Sequence, residues 1–152
     1  MKKIFTMMAA LLLGASSMMA QKDGVRVAIE AGAGTELEVG ARAEYGFSKY
    51  LSWDILHAKY AWDYNKDYNF NEFTLTTGLR GFSPSFGPNL KAFAAIDLGY
   101  GVTFRDFTTH NFALDFTVGL NLGKDWYVGY GLGYMANDGK HKDHLFRIGY
   151  YF

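Results

Sequence analysis

"KDHLFRIGYYF", residues Lys142 to Phe152, places Phe146, Ile148, Tyr150 and Phe152 at alternate positions, with Leu145, Arg147, Gly149 and Tyr151 between them. Successive side chains of a strand point to opposite faces, so this stretch predicts a strand with one wholly apolar face and one mixed face. The last residues of a water-soluble domain are ordinarily frayed and polar. These are patterned for burial along one face, and their arginine falls on the other.

The same alternation recurs upstream. Val25, Val27 and Ile29 alternate with Arg26, Ala28 and Glu30; Leu37, Val39, Ala41, Ala43 and Tyr45 with Glu38, Gly40, Arg42 and Glu44. Phe73, Leu75 and Leu79 alternate with Thr74, Thr76 and Arg80, and Ile96, Leu98 and Tyr100 with Ala95, Asp97 and Gly99. Phe112, Leu114 and Phe116 alternate with Ala113, Asp115 and Thr117, and Val128, Tyr130 and Leu132 with Tyr127, Gly129, Gly131 and Gly133. The run "LSWDILHAKYAWDY" from Leu51 is less regular: Trp53 and Ile55 share one parity, Leu56, Ala58, Tyr60 and Trp62 the other. A bulge or a different parity accounts for it. With that run counted, the sequence predicts eight strands, most about 9 to 11 residues long, enough for a tilted strand to cross a bilayer.

The first 20 residues are of another kind. "MKKIFTMMAALLLGASSMMA" opens with two lysines, continues with an apolar stretch from Ile4 to Leu13 and closes on small residues, the layout of a signal peptide cut after Ala20. A spanning helix needs about 20 apolar residues, and Ser16 and Ser17 interrupt this run. Residues 1–20 are therefore expected to be a signal peptide and residues 21–152 one barrel domain. That domain carries 13 Lys plus Arg against 15 Asp plus Glu, which gives no basic footprint for nucleic acid. The chain has no cysteine, hence no disulfide framework.

A soluble sandwich or lipocalin-like barrel also alternates, with the apolar parity inside and the polar parity in water. The polar parity here does not suit water. It carries Gly129, Gly131 and Gly133 in one strand, poor residues for a solvated strand but suited to a narrow lumen. All five arginines, Arg26, Arg42, Arg80, Arg105 and Arg147, share it with Glu30, Glu38, Glu44, Asp97 and Asp115, whereas most lysines sit in connections. Arginine forms geometrically fixed pairs with carboxylates away from bulk water. The expected fold is thus all-β, an eight-stranded antiparallel up-and-down transmembrane barrel. Its lumen charge network would comprise Arg26, Glu30, Arg42, Glu44, Arg80, Asp97, Arg105, Asp115 and Arg147. Aromatics near both sets of connections, Phe47, Tyr50, Trp53, Phe82 and Trp126 on one side and Tyr60, Trp62, Phe104, Phe112 and Tyr134 on the other, predict two interfacial girdles.

In these features the chain resembles the small outer-membrane β-barrel proteins of Gram-negative bacteria, the OmpA/OmpX-like or porin-like family. The resemblance spans residues 21–152 and rests on pattern. It implies export to the outer membrane with both termini in the periplasm. It also implies that the last strand, through Phe146, Ile148, Tyr150 and Phe152, serves as an insertion signal for the barrel assembly machinery. Some barrels of this size are lipid-modifying enzymes. By resemblance the deacylase type needs a His-x-Ser pair, yet no histidine here is followed two residues later by serine, and the acyltransferase type needs an adjacent Asp-Ser, which is lacking.

The loop "DYNKDYNFNE" alternates Asp63, Asn65, Asp67 and Asn69, but Tyr68 replaces the glycine of a calcium loop and Thr74 its closing acid. His141, His144, Asp138 and Asp143 have no specific metal spacing. Tyr64, Tyr68 and Phe70 offer stacking platforms or an aromatic belt. The functional expectation is a membrane barrel with a side-chain-filled lumen and a structural or small surface-interaction role. It would be a monomer surrounded by outer-membrane lipid, with no cofactor, no metal and no nucleic-acid partner, its loops open to a surface ligand. A surface receptor or adhesin and a narrow solute channel are the alternatives, with an enzyme last. For the first hairpin, residue numbers summing to 68 would oppose Arg26 to Arg42 and Glu30 to Glu38. Sums of 70 or 72 oppose unlike charges and are expected instead. Arg147, on the strand that closes against the first, is expected to reach Glu30.

Overall fold

The computed structural model describes residues 24–62, 71–104, 108–136 and 142–152. Eight strands run in chain order round one closed antiparallel barrel: β1 (Val25–Gly34), β2 (Leu37–Gly46), β3 (Leu51–Trp62), β4 (Asn71–Phe82), β5 (Leu90–Phe104), β6 (Thr108–Leu122), β7 (Trp126–Met135) and β8 (Lys142–Tyr151). β1 closes against β8, with Ala31 opposite Ile148 and Gly32 opposite Arg147. An even strand number puts the start of β1 and the end of β8 at one end, here the terminal end, together with connections 47–50, 83–89 and 123–125. The β1–β2 turn lies at the distal end.

The eight strands are those the alternation predicts, β6 with a longer distal end. β6 begins at Thr108, and Thr108 to Asn111 pair with Phe104 to Gly101 of β5. These β6 residues are polar at both parities, so the period-two signal is silent there although the ladder continues.

The molecule is inside out relative to a soluble domain. Large apolar side chains cover the outside, with Phe146 71% and Leu79 49% exposed, whereas Arg42, Arg80, Asp54, Asp97 and His57 are each at most 1% exposed inside. A continuous apolar surface of this kind far exceeds the few hundred Å² of a typical soluble monomer. Aromatic pairs mark both rims of the apolar band: Tyr45 with Phe47, and Trp126 with Tyr150, at the terminal end, and Tyr60 with Trp62 at the distal end. Phe82 is a correction to the predicted girdle. It shares the inward parity of Arg80 and packs against an interior cluster of Ala28, Phe93, Tyr127 and Tyr151.

A bulge resolves the irregular third run. β3 slips against β4 between Asp54, opposite Gly78, and His57, opposite Thr76. Ile55 and Leu56 together face Thr77, so the parity reverses and His57 and Lys59 turn inward behind Ser52 and Asp54. Thr77 secures the distortion: its hydroxyl donates to the Asp54 carbonyl at 2.8 Å and accepts the Trp53 indole N–H at 2.9 Å.

Glycines decide which interior side chains meet. Gly32 stands between Arg147 of β8 and Glu38 of β2, and a Cβ there would lie 3.3 Å from Arg147 Cγ and 3.4 Å from Glu38 Cβ. Gly149 stands between Tyr127 of β7 and Glu30 of β1, and its Cβ would lie 2.1 Å from the Tyr127 ring. Long side chains therefore reach across a glycine to a partner two strands away. Gly149→Ala is expected to lower barrel stability by about 1 to 3 kcal/mol, the usual cost of overpacking, read as a lower urea midpoint of the lipid-refolded protein; an unchanged midpoint would show that Tyr127 has room to yield.

Candidate functional site: a charged lumen between two unlike mouths

Interior charges stack in three tiers along the axis. In the distal tier Arg147 bridges two carboxylates: Nε and Nη2 donate to Glu38 at 2.8 and 3.1 Å, and Nη1 and Nη2 donate to the two oxygens of Asp115, both at 2.7 Å. Its Nη1 also donates to Thr117 Oγ1 at 2.7 Å, and Lys59 donates to Asp115 from the opposite wall. A planar fork that fills two carboxylates at once needs arginine rather than lysine.

The middle tier is centred on His57. One ring nitrogen bonds Glu30; the other lies 2.9 Å from Arg42 Nη2 and 3.3 Å from Asp97 Oδ2. Arg42 is also 3.2 Å from Asp54 and 3.7 Å from both Glu30 and Asp97. The Asp54 carboxylate has no hydrogen bond of proper geometry among the described residues, so the charges of Arg42 and Arg80 hold it.

In the terminal tier Arg80 donates to Tyr151 Oη at 2.7 Å, and the Tyr151 hydroxyl donates to Glu44 at 2.8 Å. Arg26 reaches Glu44 at 2.6 Å from the rim. The Arg80 guanidinium lies 4.4 Å from the Phe93 ring centre, and Phe93 meets Tyr127 edge-on at 5.9 Å. Tyr127 in turn donates to Glu30 across Gly149 and links this aromatic layer to the middle tier.

The mouths differ. Four carboxylates, Glu36, Glu38, Glu72 and Asp143, crowd the distal end around a space of about 10 Å³. Glu36, in the β1–β2 turn, is 2% exposed. Burial first, then the charges of Asp143, Glu72 and Glu38, push its carboxyl up to about 9. The terminal end opens instead into a cavity of about 590 Å³.

Of the residues that the sequence places in the lumen, Glu30, Arg42, Glu44, Arg80, Asp97, Asp115 and Arg147 are buried there, and Arg26 lies at the rim with its side chain 41% exposed. Arg105 lies outside the described residues, as do loop 63–70 and the pair Asp138 and His141. The first hairpin takes the sum of 70: Arg26 faces Glu44 and Glu30 faces Gly40. The expected contact of Arg147 with Glu30 is corrected. Gly32 leads Arg147 to Glu38, while Glu30 is taken by His57 and Tyr127. Asp143 points inward and His144 outward to Tyr130 Oη at 2.7 Å, so the two do not converge. His57 and Lys59 escape the sequence reading because the bulge reverses their parity. Phe146, Ile148 and Phe152 are exposed on the outer face, and the ring of Tyr150 lies 4.9 Å from Trp126 and 5.3 Å from Phe152.

No family model matches the chain, and no curated protein matches it in sequence. Solved structures do match. The N-terminal β-barrel domain of Pseudomonas aeruginosa OprF aligns at 12% identity with a TM-score of 0.54, covering 84% of this chain and 96% of that one. Neisserial surface protein A (NspA) aligns at 10% identity with a TM-score of 0.54, covering 84% and 90%. The likeness at these identities is one of fold: the chain has the architecture of the small outer-membrane β-barrels.

Two predictions test the tiers. Arg147→Ala leaves Glu38 and Asp115 without their main partner and is expected to cost about 3 to 5 kcal/mol in urea unfolding, with Arg147→Lys intermediate. A parent-like midpoint for Arg147→Ala would mean that water replaces the guanidinium without penalty. For Glu36, the folded value of about 9 stands above the ordinary 4.5, so between these pH values folding takes up a proton. Stability from this group is complete below pH 4.5 and declines as pH rises toward 9. Glu36→Gln should therefore flatten the fall of the urea midpoint between pH 5 and pH 9, and an equally steep fall in the variant would place the effect elsewhere.

Proposed function

We propose that the protein is an integral outer-membrane barrel with a sealed lumen, exported by the leader of residues 1–20 and seated with both termini in the periplasm. It acts as a membrane-embedded scaffold that presents its distal connections to the outside, in a structural or small surface-interaction role. The observation that carries this reading is the middle tier, where Glu30, Arg42, Asp54, His57 and Asp97 fill the cross-section with fully buried side chains. The layer of Phe93, Tyr127 and Tyr151 adds an apolar floor beneath it. An eight-stranded barrel leaves an interior only wide enough for its own side chains, and here they hold one another by charge.

The apolar outer belt supports lipid as its surroundings, since water around such a surface would drive aggregation. The outward set Phe146, Ile148, Tyr150 and Phe152 suits a role as the insertion signal read by the barrel assembly machinery. On this reading the protein works as a monomer, without cofactor, nucleic acid or enzymatic activity; the enclosure of His57 by carboxylates and a guanidinium supports a structural part for that residue. Planar-bilayer recording of the refolded protein is expected to show no unitary steps above baseline. A steady ohmic conductance would overturn the sealed lumen in favour of a narrow solute channel.

A further inference from the structure

The outer face carries the same polar pair twice. On β5 and β6, Tyr100 lies opposite Phe112 and Val102 opposite His110; on β7 and β8, Tyr130 lies opposite Phe146 and Leu132 opposite His144. A Tyr-Gly-aliphatic run therefore faces a His-x-Phe run in the same register both times, although 10 residues separate tyrosine from histidine in the first pair and 14 in the second. Tyrosine and histidine are diagonal neighbours across the ladder, within reach of long side chains. Tyr100 Oη bonds His110 Nδ1, with ring centres 5.8 Å apart; Tyr130 Oη lies 2.7 Å from His144 Nδ1, with ring centres 6.1 Å apart.

Both histidines stand where the outward face stops being apolar. On β6 that face is apolar from Leu122 to Phe112 and turns polar at His110; along the last strand it is apolar or aromatic from Phe152 to Phe146 and turns polar at His144. Leu122 to Phe112 at about 3.3 Å per residue, with a tilt of about 40°, rises about 25 Å, the height of the lipid-facing band in outer-membrane barrels. His144 lies at the level of the β1–β2 turn: its amide donates to Thr35 Oγ1 at 3.1 Å and its carbonyl accepts the Thr35 amide at 3.0 Å. Each imidazole is thus held at the distal edge of the apolar belt, the level of lipid headgroups.

We propose that the two Tyr–His pairs are docking sites for the phosphate headgroup of an anionic lipid in the leaflet at the distal end. If the phenol donates to Nδ1, Nε2 carries the second N–H; if Nδ1–H donates to the phenol, the phenol O–H is left over. Either arrangement of the Tyr130–His144 pair leaves one oriented donor unused among the described residues. Hydrogen bonds from such a donor to an ionised acceptor are about twice as strong as to a neutral one, which favours phosphate over an ester carbonyl or water. Nothing charged alike opposes an anion there, since among the described residues no carboxylate takes the outward parity of any strand. These sites presuppose the membrane seating proposed above.

The test uses the full barrel, labelled with ¹⁵N at histidine and refolded in maltoside micelles, titrated with dihexanoyl phosphatidic acid, dihexanoyl phosphatidylcholine and inorganic phosphate in separate arms. Phosphatidic acid is expected to shift two imidazole signals saturably, those lost in His110→Gln and in His144→Gln, and to leave buried His57 unmoved. Tyr100→Phe and Tyr130→Phe are each expected to weaken binding at the paired histidine about fivefold, the loss of one ordinary hydrogen bond. Should either phenylalanine variant fail to fold, the other decides. Unmoved imidazoles, an equal response to phosphatidylcholine or inorganic phosphate, or parent-like affinity in the phenylalanine variants overturns the sites. Heat-modifiable gel mobility, recorded with and without micelles, tests the membrane reading apart from them: folding without detergent overturns that reading, whereas a barrel that folds only in micelles with unmoved imidazoles overturns only the headgroup sites.

Discussion

The seam between β1 and β8 is the constraint on which the rest depends. Pairing Ala28 to Gly34 with Tyr151 to Leu145 turns eight hairpin-linked strands into a ring in which each strand has two neighbours. A lipid-embedded backbone has no water to satisfy its donors and acceptors, so closure is the condition for spanning at all. Closure also makes the interior small. Every inward side chain then has to share a narrow space with those of all the other strands, and polar groups placed there must find partners or bear the cost of burial without them.

Within that space the choice of partner follows from where side chains are absent. Arg147 finds Glu38 across Gly32, and Tyr127 finds Glu30 across Gly149. The charges set register as much as stability. A slip of two residues in the first hairpin to the sum of 68 preserves inside and outside, so hydrophobicity does not oppose it; what opposes it is the meeting of Arg26 with Arg42 and Glu30 with Glu38. The observed pairing of Arg26 with Glu44 avoids both. Buried ion pairs are weak evidence of net stability compared with apolar packing, and their best-attested use is to specify register.

The lumen is graded along its axis. Crowded carboxylates stand at the distal mouth, Arg42 and His57 among Glu30, Asp54 and Asp97 fill the middle, and an aromatic floor separates these from an open mouth lined by lysines. The sealed middle and the open terminal end are compatible, because the floor of the cavity is the underside of the plug. Tyr151 belongs to both: it bonds Glu44 and Arg80 in the tier and lines the cavity below.

The sequence by itself determined the architecture. Period-two alternation requires nothing but the pleat, so eight strands, the apolar outer face and the inward parity of arginines such as Arg42, Arg80 and Arg147 were legible from residue order, together with the favoured charge pairing of the first hairpin. Where that local signal breaks, legibility ends. The parity of His57 and Lys59 depended on which residue bulged, and Thr77, on the neighbouring strand, secures Ile55 in that place. Phe82, in turn, faces the lumen although its ring suits an interface. Contacts between residues two strands apart, the partner of Arg147 and the floor of Phe93, Tyr127 and Tyr151, were decided only by the closed tertiary structure. They depend on the stagger of the whole ring and on glycines in intervening strands, whereas a strand's own sequence encodes only which face each side chain takes.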